Sequence, residues 1–264
     1  MLKGKPNTFQ KLMDQLSVYS VNETHPDAFT VIRMKKEAKK IITTDQALGA
    51  SAYGIIAAVE GDLEESEKQH AIALKLSRNP YYVMYRAISM RTLGKHEESY
   101  RLMQSIMKVM PKPVNLLNSE ILLAFDTGHH RDVKIFYKEL ARINGTINID
   151  SLVRVYFTAL IIKSNIDLDA FPFIAFLLNS LLKAHHIKEP STNVELIGDQ
   201  LFFWLQISAN ENALSLLNEQ VANGLALINL YNLNHFHAGF RAERESPEMK
   251  IEEIYKVIEI LYAD

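Results

Sequence analysis

Apolar residues recur at helical spacing along most of this chain, and each recurrence stops at a polar or glycine-bearing turn. Ala52, Ile55, Ile56 and Val59 make one such set, ended by Gly61; Leu63, His70, Ala73, Leu74 and Leu76 make the next. Val83, Ala87, Met90 and Leu93 precede Gly94, and Leu102, Met103, Ile106 and Val109 follow it. Two helices are predicted ahead of these, Thr8–Val18 with Asn7 as N-cap and about Pro26–Ile41, with Thr24 or His25 before a proline that fits an early helical position. Thr44 or Asp45 caps the helix that follows. Beyond residue 144 the pattern predicts helices at Leu152–Lys163, at Asp169–His186 with Pro172 in its first turn, and at Glu211–Leu230. Thr192-x-x-Glu195 reads as a capping box opening a helix over Val194–Ser208, which carries the one tryptophan, Trp204. Ser246-Pro247-Glu248 opens a last helix to Tyr262, with Ile251, Ile254, Ile258 and Leu261 on one stripe. Asn232–Glu245, with His235, His237, Gly239, Arg241 and Arg244, is the least regular stretch and reads as a long loop or a broken helix. No alternating β-branched run is long enough for a sheet, so the expected class is all-α.

The chain also repeats itself. Gly61-Asp62-Leu63-Glu64-Glu65-Ser66 returns as Gly94-Lys95-His96-Glu97-Glu98-Ser99, with the two glycines 33 residues apart. A weaker copy, Gly128-His129-His130-Arg131-Asp132-Val133, lies another 34 residues on. Each glycine falls between two helical segments, where a helix end often needs a positive φ. The paired carboxylates Glu64-Glu65 and Glu97-Glu98 then sit at the start of a second helix, where the helix dipole favours negative charge.

A two-helix repeat of this length, with small residues on both helices, resembles the tetratricopeptide repeat. The resemblance is clearest over 46–111 and weaker over 112–145. It implies that Gly54 faces Ser66 and Ala87 faces Ser99, with Ala73 and Pro111 at the family's alanine and closing-proline positions. It implies an antiparallel helix-hairpin array in three parts: N-terminal helices over 1–45, repeats over 46–145, and a helical region over 146–264 made of diverged repeats or a capping bundle. In such arrays the first helix of each hairpin lines a concave groove. The groove positions here are Leu48, Ser51, Ile55 and Ala58, then Tyr81, Met84, Ile88 and Arg91, then Asn115, Asn118, Leu122 and Phe125. A peptide held by Tyr81, Met84 and Phe125, with Arg91 beside it and its backbone read by Asn115 and Asn118, is the expected ligand mode. The alternative occupant of that groove is the chain's own C-terminal helices.

Composition narrows the chemistry. The chain has 264 residues, 48% of them hydrophobic and 23% charged, with a net charge of −2 and no cysteine. Disulfides, thiol catalysis and cysteine-based metal centres are excluded. Charge is uneven: residues 1–144 carry a net +5 and residues 145–264 a net −7. The densest basic stretch is Arg33, Lys35, Lys36, Lys39 and Lys40, either a solvated helix face or a patch for an acidic partner or a phosphate backbone. No phosphate-binding glycine loop, dinucleotide fingerprint, serine elbow or His-Glu-x-x-His motif is present, and the histidine pairs have no third ligand at a known spacing. No metal or cofactor is expected. Met1–Ser20 lacks the apolar centre of an export signal, and the most apolar run, Phe171–Leu182, is too short to span a bilayer.

These readings point to a non-catalytic cytoplasmic scaffold, an adaptor, chaperone or receptor, that takes a protein or peptide partner and no membrane. Two other classes remain. One is a regulator that contacts nucleic acid through the basic 33–40 helix while the repeats sense a peptide. The other is a hydrolase or transferase built around His235, His237 and Arg241. The last helix is the candidate seam of a homodimer.

Overall fold

The structure is a computed structural model and describes residues 8–21, 26–185, 187, 191–227, 235–242 and 251–259. It divides into two compact units, Met1–Pro111 and Lys112–Asp264. That boundary falls inside the 46–145 segment. The chain is mostly helical, with one small sheet.

In the first unit the helices are α1 (Thr8–Val21), α2 (Ala28–Ile42), α3 (Gln46–Val59), α4 (Leu63–Leu76), α5 (Pro80–Thr92) and α6 (His96–Ile106). Their starts follow local chemistry. Asp27, Asp45, Asp62 and Asn79 each sit outside the helical region and accept a hydrogen bond from a first-turn N–H, satisfying donors that a helix leaves orphaned. Asp27 is thus the cap of α2; Thr24, His25 and Asn7 lie outside the described residues. The hairpin turns share one geometry. Gly61 and Gly94 have φ of 82° and 70°. Each donates to the carbonyl three residues back, and the next residue donates five back: Asp62 to Ala57 at 2.9 Å and Lys95 to Met90 at 2.8 Å. This is the Schellman closure, and it needs the left-handed conformation that glycine adopts at least cost.

Small residues let these helices approach closely. On α3 the space a Cβ at Gly54 would occupy is held by the His70 ring, whose Nε2 would lie 2.6 Å away. The family pattern assigned that place to Ser66, which is itself buried. The other expected small pair does meet, since the Ser99 hydroxyl donates to the Ala87 carbonyl at 2.8 Å. Phe9, Leu12 and Leu16 of α1 close the core with Val31, Met34, Ala38 and Ile41 of α2 and Ala52, Ile55, Ile56 and Val59 of α3.

The second unit begins with α7 (Val114–Asp126), α8 (His130–Arg142) and α9 (Ile149–Lys163). The turn between α7 and α8 repeats the same closure, with Gly128 at φ 78° and His129 donating to Ala124 at 2.7 Å. After α9 and a short 3-10 turn comes α10 (Phe171–Ala184).

From there the structure overturns the all-α expectation. The residues read as a helix over Val194–Ser208 are two strands, β1 (Ser191–Ile197) and β2 (Gln200–Ile207), joined at Gly198-Asp199. Thr192 and Glu195 are strand residues, not a capping box. After α11 (Glu211–Leu227) the chain returns as β3 (Phe236–Ala242), parallel to β2, where a loop or broken helix was expected. The order β1-β2-β3 puts Val194, Leu201, Phe203, Leu205, Phe236 and Phe240 on the buried face. Phe203 packs among Phe125 of α7 and Phe171 of α10 at ring separations of 6.2 Å each. β3 is an edge strand, and Asn218 of α11 covers it. The Asn218 side chain accepts from Phe240 N at 2.7 Å and donates to Phe240 O at 2.9 Å, occupying groups that would otherwise invite another strand. α12 (Ile251–Ile258) packs against α9 with Ile254 and Ile258 buried, while Ser246-Pro247-Glu248 and Leu261 lie outside the described residues. No described helix is long and apolar enough to cross a membrane.

Candidate functional site

The six predicted groove residues fall in two different units. Tyr81, Met84 and Arg91 belong to the first unit, and Asn115, Asn118 and Phe125 to the second. On α3 the groove positions Ser51, Ile55 and Ala58 are buried, and Ile55 lies in the core closed by α1 and α2. At Ile55 this place is filled by Leu12 and Leu16 of α1 and Met34 of α2.

Asn118 and Phe125 are committed inside the second unit. Asn118 is 5% exposed. Its amide nitrogen donates to Val114 O and Thr146 O at 3.0 and 3.1 Å, and its oxygen accepts from Asn148 N at 2.9 Å. It therefore ties α7 to the segment leading into α9, and Asn148 caps that helix. Phe125 is 3% exposed and ringed by His130, Phe157 and Phe203, with the Arg154 guanidinium 5.4 Å from its centroid. Neither side chain can meet a ligand while the unit stays folded. Asn115 is exposed on α7.

What stays open is one stripe of α5. Asn79 caps this helix and Pro80 occupies its first turn, which fixes where the stripe begins. Tyr81 is 42% exposed, and Met84, Ile88 and Arg91 are half-buried, at i, i+3, i+7 and i+10. The opposite side holds Tyr82, Ala87 and Met90 in the core. Arg86, on the opposite side of α5 from the stripe, bridges Glu67 of α4 and Glu98 of α6 at 3.2 and 3.1 Å, which pins α5 between its neighbours. Tyr85 at the stripe's margin packs against Phe9 at 5.3 Å. No ion pair among the described residues involves Arg91. The stripe therefore offers a phenol, a thioether, an aliphatic chain and an available guanidinium on a rigid helix.

The basic residues take distinct positions on α2. Arg33, Lys36, Lys39 and Lys40 are exposed, and Lys35 is half-buried, held by Glu60 at 2.8 Å. Lys40 pairs with Glu37 at 2.6 Å.

Of the histidine-rich segment, His237 and Arg241 lie on β3, His235 just precedes it, and Arg244 lies outside the described residues. His237 stacks on Phe202 at 4.7 Å, and Phe202 stacks on Trp204 at 6.1 Å. Arg241 pairs with Glu195 at 2.9 Å, and His235 with Asp199 at 3.2 Å. Glu195, His237 and Arg241 share the outer face of the sheet, with Arg241 held by Glu195 and His237 laid against Phe202. Elsewhere two imidazoles are buried. His70 meets the Ser89 hydroxyl at 2.7 Å, linking α4 to α5, and burial, with Arg86 nearby, takes its pKa down to about 4. His130 meets Thr158 at 3.3 Å, linking α8 to α9, and burial, with His129 beside it, takes its pKa down to about 3. Both are neutral joints between helices. No group of three or more His, Cys, Asp or Glu that could hold a metal exists among the described residues.

No protein-family model, curated protein or solved structure matches this chain.

Proposed function

We propose that this chain is a non-catalytic binding scaffold, a tetratricopeptide-like helical repeat protein that holds a segment of another protein across the α5 stripe. The observation that carries the reading is the Schellman turn at Gly61, Gly94 and Gly128, built three times with the same hydrogen bonds at spacings of 33 and 34 residues. The recurrence of one hairpin turn at a fixed interval supports a repeat organisation, and repeats present side chains in rows rather than converging them on one reacting atom. In this reading Tyr81 and Met84 supply apolar contact, Ile88 the floor, and Arg91 a charge-assisted hydrogen bond to a carboxylate of the bound segment. Tyr at such a position brings large contact area with little rotamer entropy to lose.

The test uses the full chain. Peptides selected on it from a displayed library are expected to carry an apolar anchor near an acidic residue. Arg91→Glu and Tyr81→Ala are each expected to weaken the selected peptide about tenfold or more, with the helical circular dichroism and melting temperature unchanged. Selected peptides that bind both variants as well as the parent would place the binding surface elsewhere.

A further inference from the structure

The outward face of α2 combines two features that rarely coexist on a solvated helix. Phe29 is 86% exposed and Ile32 64% exposed. Arg33, Lys36, Lys39 and Lys40 are exposed on the same helix. At about 100° per residue these six fall within an arc of about 120°, over an axial length of about 17 Å. The opposite arc holds Val31, Met34, Ala38 and Ile41 in the core, so the helix cannot roll to hide its outer face.

Among the described residues, three carboxylates near this face are already engaged. Glu37 pairs with Lys40, Glu60 pairs with Lys35, and Asp27 accepts from Thr30 as the helix cap. No ion pair among the described residues involves Arg33, Lys36 or Lys39. The face is therefore cationic, with its two large apolar side chains gathered in its N-terminal half.

We propose that this face docks the protein on an anionic lipid bilayer surface, with Phe29 and Ile32 entering the headgroup–acyl boundary and Arg33, Lys36, Lys39 and Lys40 against acidic headgroups. Three observations favour a bilayer over other anionic partners. Nucleic-acid phosphates would engage the four cations and leave Phe29 and Ile32 unexplained. Unlike the α5 stripe, where Met84, Ile88 and Arg91 are half-buried, this face gives a protein ligand no sheltered position, since Phe29 and Ile32 both stand clear of the surface. A bilayer needs no pocket, and it takes apolar side chains and cations together. This contact is peripheral, so it departs from the sequence expectation of no membrane partner without requiring a spanning segment.

The experiment is flotation of the full chain with phosphatidylcholine vesicles, with and without phosphatidylserine, over a salt series. Binding is expected with phosphatidylserine alone, and it should weaken as salt rises. Each cation removed should cost about fivefold in the partition coefficient, so Lys36→Ala/Lys39→Ala should lose about twenty-five-fold. Phe29→Ser/Ile32→Ser should also release the protein while leaving the cations in place. All four positions are exposed, so the melting temperature should hold and report intact folding. Absence of vesicle binding, equal binding to neutral vesicles, or binding unchanged in both double variants would overturn the proposal. So would retention of the chain by single-stranded RNA or by a polyglutamate peptide with no binding to vesicles.

Discussion

The two units start from the same hairpin and finish their cores differently. In the first, the apolar face of α3 is covered by helices, with Phe9, Leu12 and Leu16 of α1 completing it. In the second, Phe125 of α7 is covered by a sheet, through Phe203 of β2. A helix hairpin buries one face and leaves a second to be covered, and either element can cover it. The choice decides what remains accessible. Helix-on-helix closure leaves the α5 stripe open in the first unit, whereas sheet closure consumes Asn118 and Phe125 in the second.

Deleting the ring that joins sheet to helix gives the largest expected effect. Phe203→Ala should destabilise the second unit by about 3–5 kcal/mol, read as a loss of hydrogen-exchange protection in β2 and α7. The matching truncation in the first unit, Ile55→Ala, should act on α1–α3 by about 2–5 kcal/mol. If Phe203→Ala left the protection of α7 untouched, the sheet would not be what closes that helix.

The repeated turn sharpens the contrast. Gly94 and Gly128 share a left-handed backbone, but a Cβ at Gly94 meets open space, while one at Gly128 presses on the backbone of Phe171 and Pro172. Gly94→Ala should cost about 1–2 kcal/mol, the left-handed penalty alone. Gly128→Ala adds overpacking of about 1–3 kcal/mol, for a total of about 2–5 kcal/mol. Equal denaturant midpoints for the two variants would deny the difference in packing.

Acid should affect both units through the same device. An unfolded imidazole takes up its proton near pH 6.5, whereas His70 and His130 do so only at about 4 and about 3 when folded. Between these values the unfolded chain binds more protons, so stability present above pH 6.5 drains away as the pH falls. The loss is roughly 3 kcal/mol for each histidine by pH 4. Urea midpoints measured from pH 7 to pH 4 check it, and His70→Gln should flatten that slope for the first unit. The smallest effect is expected at Ser99→Ala, about 1 kcal/mol from the lost hydrogen bond to Ala87, again read from the urea midpoint.

Much of the helical part was legible because its signals are local. Asp45, Gly61, Gly94 and Gly128 each fix a helix end with atoms at most five residues away. The sheet was not legible because its signals compete. Leu201 and Leu205 suit a helix face as well as alternate strand positions, and Thr192-x-x-Glu195 imitates a cap. What decides the matter is pairing with β3, thirty-five residues on from each of its partners on β2. A usable hint was present: Gly198-Asp199, a two-residue hairpin loop, stands just ahead of the Phe202-Phe203-Trp204 run. The groove positions failed for a related reason. Asn118 stands where a repeat presents a ligand-reading amide, but the segment around Thr146 and Asn148, about thirty residues away, claims that amide. On α5, by contrast, Tyr81 keeps a large part of its ring exposed.

The most direct test of the scaffold reading is hydrogen exchange on the full chain with and without a library-selected peptide. The expected result is added protection concentrated in Pro80–Thr92 and absent from β2 and β3. Protection confined to the strands, with α5 exchanging as it does in the free protein, would contradict the account.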